Sequence, residues 1–188
     1  MRSCGADGCG RGHERAGMIE IYYGDGKGKT TAAAGLAIRS AGHGIPVCFI
    51  QFLKDGSSGE VRVLKQLPGV TVRTGEHFYG FLSQMSPEQR QICRQDAARL
   101  LAGAGRYTQG KGRRVLILDE VLTAQDRGIV EERDLLNVLE RTGPDAELVL
   151  TGCNPSKEIL DRADYCTQMI KRAHPFDRGI RAREGIEY

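Results

Sequence analysis

From position 18 onward, short apolar runs alternate with amphipathic segments. The runs 18–23 (MIEIYY), 46–53 (PVCFIQFL), 69–75 (GVTVRTG), 113–122 (RRVLILDEVL) and 146–152 (AELVLTG) are rich in Val, Ile, Leu and aromatic residues. Each is too short for a long helix, and the pattern predicts strands, with 165–172 as a last one. Between them, 30–42 predicts an Ala-rich helix closed by Gly42 and Gly44. The segment 86–105 predicts a second helix: Ser86 suits the N-cap, Pro87 the first helical position, and Gln89 completes a capping box. Ile92, Ala97, Leu100 and Leu101 give it an apolar face. Further helices are predicted over 131–143, with acids at its start, and near 156–163. Near-continuous apolar strands separated by helices imply an α/β fold, a mostly parallel open sheet with helices on both faces. Ligands in such sheets bind beyond the carboxyl ends of the strands. Four stretches therefore meet at one crevice: 24–31, QFLK (51–54), Asp119-Glu120 and TGCNP (151–155).

The first of these carries the clearest chemistry. YGDGKGKTT (23–31) follows a strand and opens a helix, the context of a triphosphate-binding loop. The standard spacing would put a glycine at position 23, where this chain has Tyr23. The remaining parts fit a P-loop NTPase-like fold. Gly24, Gly26 and Gly28 let backbone N–H groups face a polyphosphate, and the helix N-terminus favours the same anion. Asp25 lies within the loop; Lys27 and Lys29 supply cations; Thr30 and Thr31 supply hydroxyls, Thr30 suited to Mg²⁺. Asp119 and Glu120 close a buried strand, where a carboxylate can hold the metal directly or through water. These features imply a binder of Mg-ATP and leave the transferred group open; phosphoryl transfer by a kinase or ATPase is the general expectation.

Composition narrows the setting. The chain has 188 residues, enough for one domain over 18–188 behind a polar, Gly-rich tail over 1–17 that is expected to be flexible. A net charge of +3 does not call for nucleic acid, and no apolar run approaches the ~20 residues of a membrane span. A cytoplasmic protein with free thiols is expected. Cys4, Cys9 and His13 lie close together in the tail without the spacing or fourth ligand of a structural metal site.

The rest of the chain, from about Ile19 to Tyr188, resembles the ATP:corrinoid adenosyltransferases of the P-loop class. The likeness is carried by GDGKGKTTAA, GLAIRSAGHG, FIQFLK, ILDE, LTG, ILDRAD and the closing HPFDRGIRAREGIEY. That family's loop also lacks the first glycine. The resemblance implies that a corrinoid reduced to cobalt(I) attacks the 5′-carbon of ATP and tripolyphosphate leaves. No side-chain nucleophile is then required. It implies phosphate contacts from Gly24 to Thr31 and metal ligation (Mg²⁺, with Mn²⁺ as an alternative) by Thr30 and Glu120, with Asp119 holding metal-bound water or the loop. It also implies cobalamin, cobinamide or cobyrinic acid diamide as substrate, a reduced flavoprotein as electron donor, and a homodimer. Family members use aromatic residues to displace the lower ligand of cobalt, commonly as Phe-x-Trp. The matching region here is GEHFYGFL (75–82), without Trp, so Phe78, Tyr79 and Phe81 are the candidates, with Gln51 and Lys54 facing the crevice. His77 either ligates cobalt or caps a turn, and His174 is expected to anchor the closing segment. The chain departs from the family at Cys153 and Ala173, where Arg and Lys are common. A non-catalytic ATP- and corrinoid-binding carrier or sensor is the alternative those departures raise.

Overall fold

A computed structural model describes residues 17–80 and 82–187. The Cys4, Cys9 and His13 group and Phe81 lie outside the described residues. Six strands form one sheet: β1 (Met18–Tyr23), β2 (Val47–Gln51), β3 (Val70–Thr74), β4 (Arg114–Asp119), β5 (Ala146–Gly152) and β6 (Tyr165–Gln168). Their order is β3-β2-β4-β5-β1-β6, and every ladder is parallel. The helices are α1 (Lys29–Gly42), α2 (Gly59–Leu64), α3 (Pro87–Thr108), α4 (Val121–Asp126), α5 (Glu132–Glu140) and α6 (Lys157–Leu160).

The two-residue period of the strands sorts the apolar side chains onto two faces. In β4, Leu116 and Leu118 join a core with α3, α4 and α5, while Val115 and Ile117 join a second core with α1 and α2. Both faces being covered explains why β4 reads as a continuous apolar run. Helix α1 meets the sheet through Ala33, Ala34 and Ala37, whose small side chains let it lie close to the fully buried Phe49. A Phe49→Ala cavity there would cost about 3–5 kcal/mol. Helix α3 starts as its sequence dictates. The Ser86 hydroxyl accepts from the Gln89 backbone N–H at 3.3 Å, and the Gln89 side chain accepts from Ser86 N–H at 2.9 Å.

Three boundaries differ from expectation. The strand expected over 113–122 ends at Asp119, and Val121 and Leu122 begin helix α4. Their burial is that of a helix tucked under the sheet edge, and apolar content alone does not separate it from strand. Helix α2 was not expected; its six residues bury only Val61 and Leu64, too short for a period to show. Strand β6 stops at Gln168, short of 172.

Candidate active site

The carboxyl ends of β1, β2, β4 and β5 meet at one edge of the sheet, as the strand pattern implied. Backbone strain is concentrated there. Among the described residues, the non-glycine positions with positive φ are Leu53 (58°), Glu120 (62°) and Asn154 (49°). Each lies one or two residues beyond the end of β2, β4 or β5. Such conformations cost about 1 kcal/mol or more and gather at functional sites.

Tyr23 is still strand, paired with Gly152 and Gln168, so the glycine loop opens at Gly24 and is one residue shorter than the standard form. Gly24 has φ 114°, and a Cβ there would meet the Met169 carbonyl oxygen at 2.4 Å. No other residue fits. The loop is knitted to its neighbours: Gly24 N–H donates to the Gly152 carbonyl (3.1 Å) and Gly26 N–H to the Met169 carbonyl (2.8 Å). Asp25 accepts the Lys171 backbone N–H at 3.0 Å, which holds its carboxyl below the usual range. Gly28, left-handed, forms the N-cap of α1. The Lys29 ammonium reaches back to the carbonyls of Gly24 (2.7 Å) and Gly26 (2.9 Å). Two of its three N–H groups are so engaged, and one remains for an anion. Lys27 turns away from the loop to the Ile186 carbonyl (3.0 Å) and the Glu187 carboxylate (3.3 Å). It is tied to the closing segment instead of sitting as a free second cation.

The centre of the site is Asp119, fully buried at the end of β4. One carboxylate oxygen accepts from the hydroxyls of Thr30 (2.8 Å) and Thr151 (2.8 Å). The other accepts from Gln51 Nε2 (2.9 Å) and from the Lys54 ammonium (3.2 Å). Lys54 also lies 3.3 Å from the Thr30 hydroxyl. A cation thus already lies against both Thr30 and Asp119, and hard oxygen donors at that point suit a divalent ion such as Mg²⁺. Glu120, one residue on, caps α4 in the left-handed conformation, with its N–H donated to Thr151 Oγ1 at 2.9 Å.

Gln51 was expected to face the crevice toward a corrinoid. It is fully buried against Asp119, and its Oε1 has no hydrogen-bond partner among the described residues. The carboxyl end of a central strand is covered more deeply than its position in the sequence suggests. Lys54 is shared: its ammonium serves Asp119, and it also lines a cavity beside the site. That cavity is walled by Phe52, Phe78, Leu82, Met85, Leu100 and Ile129. Phe78 is half exposed at its mouth, and Tyr79 stacks on His77 with ring centroids 6.1 Å apart. Two participants had no sequence signal of their own. Thr151 sits in LTG on β5, the strand between the loop strand and the acidic strand, and only the sheet order brings its hydroxyl to Asp119. Asp96, buried on α3, holds His77.

Comparison with known proteins bears on this geometry. The family described as ATP:corrinoid adenosyltransferase BtuR/CobO/CobP matches residues 15–188. The chain belongs to this family. The corrinoid adenosyltransferase of Escherichia coli (strain K12) is 31% identical over 180 residues, covering 93% of this chain and 87% of that protein. The corrinoid adenosyltransferase of Pseudomonas aeruginosa is 29% identical over 178 residues, covering 93% and 85%. Among solved structures, ATPases 2 and 3 of EssC from Geobacillus thermodenitrificans match with TM-score 0.50 at 11% identity. That match covers 90% of this chain and 35% of EssC, a likeness of fold alone. It agrees with the P-loop α/β architecture.

The two positions singled out in the sequence, Cys153 and Ala173, lie just after β5 and in the closing segment. The Cys153 thiol contacts the Gly24 carbonyl at 3.2 Å, while its N–H donates to the Thr123 hydroxyl at 3.0 Å. Cys153 therefore braces the loop. Ala173 is exposed, before His174, whose Nδ1 accepts the Phe176 N–H at 3.1 Å and caps the turn Pro175–Arg178. His174 thus shapes a turn within the closing segment; its bond is local and does not reach the body of the sheet.

Proposed function

We propose that the protein transfers the 5′-deoxyadenosyl group of ATP to cobalt(I) of a reduced corrinoid and releases tripolyphosphate. Family membership supports the adenosyl transfer. The observation that carries the site is the Thr30–Asp119–Lys54 constellation beside a glycine loop at the helix N-terminus. In this reading the backbone from Gly24 to Thr31 and Lys29 grip the triphosphate. They stabilise the negative charge that gathers on it as the ribose carbon–oxygen bond breaks. Thr30 and Asp119, with Glu120 adjacent, would hold Mg²⁺, which supplies further neutralisation of that charge. Lys54 gives up its place against Thr30 and Asp119 and turns to a phosphate oxygen. Gln51 and Thr151 fix the Asp119 carboxylate. No general base is required, since the cobalt supplies the electron pair; positioning of the 5′-carbon in line with cobalt carries the rate.

The corrinoid would lie over the adjacent cavity, where Phe78 lines the mouth and Tyr79 stacks on the lining His77. A reduced flavoprotein serves as electron donor, and the protein works as a homodimer in the cytoplasm. The test is anaerobic incubation with Mg-ATP and chemically reduced cobalamin. Light-sensitive adenosylcobalamin and tripolyphosphate are expected in equal amounts. ADP and phosphate without a cobalt–carbon product would replace this reading with that of a kinase or ATPase. Tight binding without any product would make the protein a carrier.

A further inference from the structure

The loop between β3 and α3 carries one arrangement that adenosyl transfer does not use. The His77 ring nitrogen Nδ1 and the His77 backbone N–H both lie 3.0 Å from the same oxygen of Asp96. Asp96 is only 5% exposed, and its other oxygen is paired with Arg99 one helical turn on. The hydrogen bonds from His77 and Arg99 hold the Asp96 carboxyl below its usual range, against the opposing effect of burial. It is therefore an acceptor-only carboxylate at neutral pH, so the nitrogen facing it must carry the proton. In the neutral ring Nε2 is then a lone-pair acceptor. The ring is held from behind by the Tyr79 stack and lines the cavity together with Lys54, Phe78 and Met85. A carboxylate-oriented imidazole at the mouth of an apolar cavity is how a binding site selects a hydrogen-bond donor on its ligand.

Building on the adenosyl-transfer reading, we propose that His77 reads the periphery of the corrinoid, its Nε2 accepting a hydrogen bond from a primary amide of the macrocycle's side chains. Asp96 is the positioning residue that fixes the ring. A free peripheral carboxylate at the same point offers no proton at neutral pH and meets the lone pair unfavourably. The site thus favours the amidated corrinoid over its free-acid form.

The test compares wild type with His77→Ala and His77→Gln at pH 8, using Mg-ATP with reduced cobyrinic acid and its reduced hexaamide. His77→Ala keeps the backbone N–H that ties the loop to Asp96, so the loop survives while the ring is lost. For the hexaamide, KM should rise about 5-fold, the scale of one hydrogen bond, with kcat and the KM for ATP unchanged. For the free acid, KM should stay the same or fall. His77→Gln, whose amide oxygen can accept, should recover part of the discrimination. An unchanged KM ratio between the two corrinoids in His77→Ala, or a loss confined to kcat, overturns the role of His77. No cobalt–carbon product from wild type with either corrinoid overturns the adenosyl-transfer reading itself, and this proposal with it.

Discussion

Replacing Asp119 separates its structural from its chemical work. Four donors converge on this carboxylate: the Thr30 and Thr151 hydroxyls, Gln51 Nε2 and Lys54 Nζ. In Asp119→Ala all four lose their acceptor. The two hydroxyls can rotate to other acceptors, but the buried Gln51 amide cannot, and Lys54 loses its counter-charge. With about 1–3 kcal/mol per stranded buried donor, the expected loss of stability is about 3–5 kcal/mol. Asp119→Asn keeps the shape. Its amide oxygen can accept from Gln51 and Lys54, and its NH₂ can donate to hydroxyls turned to accept, so about 1 kcal/mol is lost. The negative charge that would hold a divalent cation is gone in both. We therefore expect Asp119→Asn to melt close to wild type yet to lose about 100-fold or more in kcat/KM for Mg-ATP. Urea unfolding and an adenosylation assay measure the two quantities on the same preparation. Turnover of Asp119→Asn within twofold of wild type would remove Asp119 from cation binding. Equal destabilisation by Asn and Ala would refute the hydrogen-bond account.

Other outcomes follow from the same geometry. Lys29→Ala should weaken Mg-ATP binding at least tenfold by calorimetry, and unchanged affinity would take this lysine out of the triphosphate site. Gly24→Ala should destabilise by about 2 kcal/mol or more in urea, because its Cβ meets the Met169 carbonyl and its φ is positive; a neutral result would mean that the segment just after β6 yields easily. Phe78→Ala should slow the reaction from cobalt(II) more than from preformed cobalt(I); equal losses would make the ring structural. Away from the site, Glu147 is held up to about 7, chiefly by burial and then by its hydrogen bond with and repulsion from Glu20. A raised folded-state value means that the folded form keeps a proton the unfolded chain releases, so stability falls as pH rises from about 4.5 to about 7 and stays lower above. Partial exposure reduces the full shift to about 1–2 kcal/mol. Glu147→Gln should be more stable than wild type by that amount at pH 8 and equal to it at pH 4.5, as urea midpoints would tell.

The parts of the site that sequence makes legible are those built from consecutive residues. Gly24 to Thr31 form a loop because strand, glycines and helix follow one another along the chain. The parallel sheet is legible because β4 and β5 are apolar on both faces. That the strand ends at 51–54, 119–120 and 151–155 meet the loop is legible too; which side chain of each touches which is not. Thr151 reaches Asp119 only because β5 is inserted between β1 and β4, an order that no local pattern encodes. Gln51 looks like a crevice residue by position, yet the depth of β2 puts it beneath the floor. The acids at 119 and 120 look equivalent in sequence; the two-residue period of β4 turns Asp119 inward on the face of Val115 and Ile117, while Glu120 has left the strand in a left-handed conformation. The Asp96–His77 pairing spans 19 positions and depends on where α3 returns to the loop after β3.

The knitting of the glycine loop to β5 and to the segment just after β6 has a consequence for the rate of nucleotide capture. Gly24 and Gly26 anchor to the Gly152 and Met169 carbonyls, and Asp25 to Lys171, so the curve of the loop is set when the sheet folds. The N–H groups of Lys29, Thr30 and Thr31 open α1, where a helix leaves its donors without internal partners. The entropy of ordering this cradle, about 1–2 kcal/mol for each fixed residue, is thus lost during folding and not again at each encounter with ATP. Triphosphate docking then meets a loop backbone already in place, with the turn of Lys54 the one rearrangement left, and its association rate constant should vary little with solvent viscosity beyond the diffusional dependence.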